Sequence, residues 1–301
     1  MNMIAMPTTL VGYFTKRGRL PGLVLLLIGL LTACSGHLAE TSNSRGPKAH
    51  LARAEAIFQE RCKTAGEKIY RTAEDVEGVF LMKLRPLGTN HGDQFKLDDP
   101  YGRDLDGVGY IESFARGSYD TMRSPNPRPG WPSRIGYLYV EAIDPADGKR
   151  YRYTGSVKSV GQKDSGAPNV QIELKRNPSY DLNIYAYVLD RFHVTSSAPR
   201  YGVTYDDIST REEREYWIAG SSLKVIDLKT NEVMAERIGY MMDRGQGNTS
   251  GGRSPWLFAA SSACPDFHRF PNPVVSVPGA SAQIRQTQDF VEKVLLPKVG
   301  K

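Results

Sequence analysis

Apolar positions change rhythm several times along this chain. From Leu23 to Leu31 they run without a charge. From Leu51 they recur at steps of three and four (Leu51, Ala54, Phe58, Cys62, Ala65, Ile69) with Arg, Glu, Gln and Lys between them. That spacing predicts an amphipathic helix ending near Tyr70, with Cys62 on its buried stripe. From Val79 onward the period becomes two. "IGYLYVEAID", "PADGKR" and "YRYTGSV" read as a hairpin turning at Asp147-Gly148, and "SSLKVIDL", "KTNE" and "VMAERIGYMMD" read as a second, turning at Asn231. In the second, Leu223, Val225 and Asp227 alternate against Ser222, Lys224 and Ile226. "YDLNIYAYVLDRFHV" adds a long strand or two. The proline-rich 124–133 segment reads as an exposed loop and the glycine-rich 243–254 segment as a flexible one. Ile284, Thr287, Phe290, Val291, Val294 and Leu295 outline a C-terminal helix stopped by Pro297. Strands joined by turns rather than helices predict an α+β fold: an antiparallel sheet or sandwich flanked by an N-terminal and a C-terminal helix.

The opening apolar run is preceded by Lys16, Arg17 and Arg19 and closes on Thr32, Ala33 and Cys34. Basic, apolar, then small residues is the order of a secretory signal. Pro21 and Gly22 on one side and Ser35 and Gly36 on the other leave it short of the roughly 20 residues of a spanning helix. Leu31-Thr32-Ala33-Cys34 resembles the bacterial lipobox. That resemblance implies palmitate-type acyl chains on the Cys34 thiol, cleavage before Cys34, and membrane attachment through the lipid. Ser35, in place of an aspartate, implies the outer membrane. The expected organisation is a signal peptide over 1–33, a polar tether over 34–50 and a single β-rich domain over 51–301.

Composition changes the picture in one respect. The full chain carries +6, but the segment ahead of Cys34 holds three basic residues and no acid, so the remainder carries +3. A nucleic-acid partner loses its main support. About 270 residues remain, enough for one large body. With Cys34 lipidated, Cys62 and Cys264 are the remaining cysteines, and in an oxidising periplasm a disulfide between them is expected.

The densest polar stretch runs from Asn90 to Tyr110. Its His91, Asp93, Asp98, Asp99, Asp104 and Asp106 offer oxygen-rich chemistry, yet the EF-hand register set by Gly107 places Gly102 and Ser113 where the essential end ligands belong. Turns account for these acids more simply. With Tyr101, Tyr110 and Trp131 they form the candidate binding surface. No G-x-S-x-G is present. Ser221 and Lys224 satisfy S-x-x-K, but on a strand, which sends the two side chains to opposite faces. His50, His91, His193 and His268 are scattered, with no zinc spacing, and no phosphate cradle is visible. No metal and no cofactor is expected.

"CKTAGEKIYRTAEDVEGVFLMKLRP" with the following "DQFKLDDPYG", and "KVIDLKTNEVMAERIGYMMD", resemble uncharacterised proteobacterial lipoproteins. The resemblance implies the lipoprotein class, an oxidising compartment and one globular domain, and it brings no catalytic residues. The resulting expectation is a non-enzymatic, lipid-anchored periplasmic protein that binds a protein partner, for instance as an immunity protein against a secreted envelope toxin. The alternative is an envelope hydrolase or carbohydrate-active enzyme using Asp98, Asp99, Asp104 or Asp106 as acid and base.

Overall fold

Gly46 in an extended conformation and Pro47 in the first turn start α1 (Pro47–Cys62), the first element of a computed structural model that describes residues 46–87, 93–95, 104–117, 135–266 and 285–299. The helix thus begins inside the span read as tether. It also stops earlier than its periodicity suggests. Gly66 takes φ +147°, a conformation open to glycine, and the chain leaves as strand β1 (Gly66–Ile69). Ile69 continues the helical spacing only by coincidence; it is an exposed strand residue.

Strands β2 (Ala73–Val76) and β3 (Gly78–Leu81) follow, then helix α2 (Gly107–Phe114). The first expected hairpin is present as β4 (Tyr139–Ile143) and β5 (Arg150–Gln162), with Gly148 at φ +69° in its turn. Helix α3 (Pro168–Arg176) leads to β6 (Asn183–His193) and β7 (Tyr201–Asp207), and α4 (Arg211–Glu215) leads to the second hairpin. This is β8 (Ile218–Asp227) and β9 (Glu232–Met242), with Asn231 at φ +58°. Helix α5 (Pro255–Ala259), strand β10 (Ala263–Cys264), helix α6 (Gln286–Val294) and strand β11 (Leu295–Pro297) complete the described chain.

Among the described residues, nine strands form one sheet in the order β1-β9-β8-β7-β3-β4-β5-β6, with β10 also on β9. Strands β11 and β2 form a small parallel pair. The large sheet is mostly antiparallel, but β3 runs parallel to both β4 and β7. The fold is therefore mixed α/β rather than purely antiparallel. The acid-rich stretch read as a string of turns contributes α2, which lies in the connection from β3 to its parallel neighbour β4. Gly107 and Gly109 disguise this helix in the sequence. At Gly107, φ is +50°, a conformation that calls for glycine.

Alternation along the strands divides the packing. Val79, Leu81, Val140, Ala142, Val203, Leu223, Val225 and Ala235 join Tyr110, Ile111 and Phe114 of α2 and Phe290, Val291 and Val294 of α6 in the main core. The opposite positions Ile218, Tyr240 and Met242 pack with Ala54 and Phe58 of α1. A third cluster joins Ala219 and Met241 to Trp256 and Ala259 of α5.

The expected disulfide is present. Cys62 at the end of α1 bonds Cys264 in β10, with the Cα atoms 5.5 Å apart and a sequence separation of 202. Closing so long a loop contributes about 5 kcal/mol in the chain-entropy limit. The Cys62→Ala/Cys264→Ala variant should unfold in denaturant with a loss of about 2–5 kcal/mol relative to the oxidised chain, and added reductant should destabilise the oxidised chain alone.

A second prediction concerns acid. Asp227, fully buried at the end of β8, accepts hydrogen bonds from Arg200 Nη2 and Arg71 Nη2, both at 2.8 Å, and from Lys229 N at 3.1 Å. Hydrogen bonding from Arg200, then from Arg71, lowers its carboxyl far below the ordinary range against the opposing effect of burial. A carboxyl depressed in the folded state contributes its stability in full above its unfolded value, near 4, and loses it as pH falls toward the folded value. The urea midpoint should fall as pH drops below about 4, and Asp227→Asn should flatten that part of the profile.

Candidate functional site

Two residues of the expected binding surface lie in the interior instead. Asp104 leaves 2% of its side chain exposed and ion-pairs Arg85 Nη1 at 3.0 Å, itself 2% exposed. Its carboxylate also accepts from Leu105 N at 2.8 Å, Arg285 N at 2.7 Å and Thr287 N at 2.8 Å. Helix α6 has no side-chain cap of its own, because its N-cap residue is Arg285 at φ +75°. Asp104 supplies that cap from 183 residues away. Arg85 Nη2 donates to Thr287 Oγ1 at 2.7 Å, and the guanidinium lies 4.9 Å from the ring centre of Tyr110 and 5.2 Å from that of Tyr205. Tyr110 is 1% exposed, and burial raises its phenol to about 12. Neither residue is available to an external ligand, and the oxygens of Asp104 are too fully engaged for acid–base work.

Asp106 occupies the N-cap position of α2 without a capping bond from its side chain. Asp93 accepts at its backbone oxygen from Trp256 Nε1 at 3.0 Å, while its carboxylate accepts from Phe95 N at 3.0 Å. His91, Asp98, Asp99, Tyr101 and Trp131 lie outside the described residues, as do Cys34, His268 and the 124–133 loop.

The remaining expectations resolve individually. Ser221 and Lys224 sit on β8 as anticipated. Ser221 is buried, whereas Lys224 Nζ lies 3.5 Å from Asp206 and 3.9 Å from Glu236. His193 is exposed beside Tyr151, with ring centres 5.6 Å apart, and His50 stacks on Tyr216 at 4.6 Å. The 243–254 segment is an organised turn rather than a loose loop. Buried Asp243 accepts from Gly245 N and Gly247 N, both at 2.9 Å, and is clamped by Arg253.

A concave feature that the sequence did not signal lies between α1 and α4. It is a cleft of about 490 Å³ lined by Arg53, Ala56, Ile57, Glu60 and Arg61 from α1 and by Thr210, Glu212 and Glu213 from the α4 side. Locally it is built by a capping box. Thr210 Oγ1 accepts from Glu213 N at 3.1 Å and Glu213 Oε2 accepts from Thr210 N at 2.6 Å, while Arg61 pairs with the buried Glu213 carboxylate. Arg53 reaches Glu212 at 3.7 Å, with both side chains largely exposed. Beyond α4, Gln94 Nε2 donates to Arg214 O at 2.7 Å and to Glu215 O at 3.1 Å. These bonds set Phe95, 46% exposed, beneath the Arg211 guanidinium at 4.7 Å. A concavity carrying both signs of charge beside Ile57, with an exposed aromatic under an arginine next to it, is of a kind that accommodates side chains of another protein. No nucleophile–base pair lines the cleft, and no group of three metal-ligating side chains occurs among the described residues.

No protein-family model matches the chain, and comparisons with curated proteins and with solved structures find no match either.

The interior assignment makes paired predictions. Asp104→Ala removes a buried ion pair with Arg85 and uncaps α6, so it should cost about 3–5 kcal/mol in a denaturant titration. Tyr110→Phe removes a buried hydroxyl that has no hydrogen-bond partner among the described residues, and it should change stability by less than about 1 kcal/mol.

Proposed function

We propose that the protein is held by lipid on Cys34 at the periplasmic side of the bacterial outer membrane and there binds a protein partner without catalysis. One observation carries this reading. Of three cysteines, one closes the apolar segment that resembles a lipobox, and the other two form a disulfide of the kind an oxidising compartment sustains. The α1–α4 cleft with Phe95 is the surface assigned to the partner. It lies on the helix that directly follows the polar segment after Cys34, which favours a target at or near the membrane. A secreted toxin acting on the envelope, neutralised by occlusion, is a partner of that kind.

Separate experiments test the anchor and the surface. Cys34→Ala should abolish detergent-phase partitioning and shift the mass of the processed chain; unchanged partitioning and mass would remove the anchor. Wild-type chain should retain an envelope protein in a pull-down, with Arg53→Glu and Phe95→Ala each weakening retention by about tenfold. Equal retention by both variants would move the partner to another surface.

A further inference from the structure

The large sheet ends in two unlike edges. On one side, β1 and β10 are four and two residues long, β1 carries Glu67 and Lys68, and Cys264 of β10 is bonded to Cys62. Short, charged and covalently tied strands resist further pairing. On the other side β6 runs for eleven residues and, among the described residues, pairs with β5 alone. The register irregularity of that pair lies in β5, between Ser159 and Gly161, so β6 itself is regular.

Backbone phase shows which groups of β6 face outward. Leu182 O accepts from Lys163 N, and Val194 N donates to Arg150 O, so even-numbered positions address β5. The amides and carbonyls of Tyr185, Tyr187, Leu189, Arg191 and His193 then point away from the sheet. From Ile184 to Leu189 this edge reads IYAYVL, with no charge and no proline, and Ile184 is 44% exposed. An uncharged, regular, β-prone edge of this length is a template for another strand.

We propose that a second copy of this chain occupies it, its β6 antiparallel to the first about a two-fold axis at Ala186, so that one sheet continues through both protomers. Charge selects the register. An axis perpendicular to the sheet keeps each face continuous, which requires centring on a residue rather than between two. Of the centres from Tyr185 to Leu189, only Ala186 sets an acid opposite an arginine, placing Asp181 of each copy across from Arg191 of the other. Both groups lie on the same face. Asp181 accepts from Tyr185 Oη at 2.8 Å, and Arg191, which pairs with Asp144 at 2.8 Å and keeps 42% of its side chain exposed to take a second carboxylate, covers Tyr151, whose cross-strand neighbour is His193. Ala186 falls at a non-hydrogen-bonded site, where opposing Cα atoms approach to about 4.5 Å, and its small side chain permits that approach.

The test uses the full chain, purified in detergent. Ala186→Cys should give a reductant-sensitive dimer on non-reducing gels. Ile184→Cys should not, because position 184 faces position 188 of the partner. Asp181→Arg or Arg191→Asp alone should weaken dimerisation by about tenfold in sedimentation equilibrium, and the two together should restore it. A wild-type chain that stays monomeric at the highest attainable concentration overturns the proposal. So does equal cross-linking at 184 and 186, or a charge swap that restores nothing.

Discussion

A single buried carboxylate, that of Asp104, joins segments that are remote in sequence. It pairs with Arg85 after β3, precedes α2, and caps α6 at Arg285 and Thr287. Each partner needs the others. A carboxylate out of water is stable only when opposed by a cation and supplied with donors, and a helix end out of water needs an acceptor for its amides. With α6 fixed, Phe290, Val291 and Val294 close the main core, and β11 follows directly to pair with β2. A polar knot thus fixes the start of the helix that closes one side of the apolar core. Charge pairs of this kind contribute less to net stability than to selecting one arrangement, because alternatives strand a charge.

The same device recurs. Glu141, Glu213, Asp227 and Asp243 are all buried, and each meets an arginine: Arg150 and Arg152, Arg61, Arg71 and Arg200, and Arg253 respectively. Several of these guanidiniums, or their neighbours, also cover aromatic rings, as Arg152 covers Tyr139 at 3.9 Å. Planar, weakly hydrated guanidinium can serve a carboxylate at its edge and a ring on its face, which lysine cannot do equally well. These buried carboxylates therefore each draw a guanidinium from the surface down to the interior, in a strand (Glu141), a helix (Glu213), a strand end (Asp227) and a turn (Asp243).

This explains what the sequence could disclose. Both hairpins were legible because their turns demand glycine or asparagine at positive φ, at Gly148 and Asn231, and the flanking alternation sets the register. The disulfide followed from the cysteine count and from the oxidising compartment expected of a lipobox-like segment. Asp104 was read as a surface acid because its local company of Asp and Gly is that of a turn, while the groups that bury it lie some 180 residues away. Parallel β3 was hidden for a related reason. A four-residue strand carries no mark of its neighbours' direction, and glycines masked the helix between β3 and β4. The α1–α4 cleft depends on two helices meeting across more than 150 residues, as Arg61 and Glu213 do, and no local spacing announces that.

The position of the Cys62–Cys264 bond has a mechanical consequence. A pull on the chain ahead of Gly46 can unwind α1 only as far as Cys62. There the load divides, part following the backbone into β1 and part crossing the sulfurs into β10, and both strands are hydrogen-bonded to β9. Tension from the amino-terminal side thereby meets two ladders on one shared strand instead of the four-residue β1 alone.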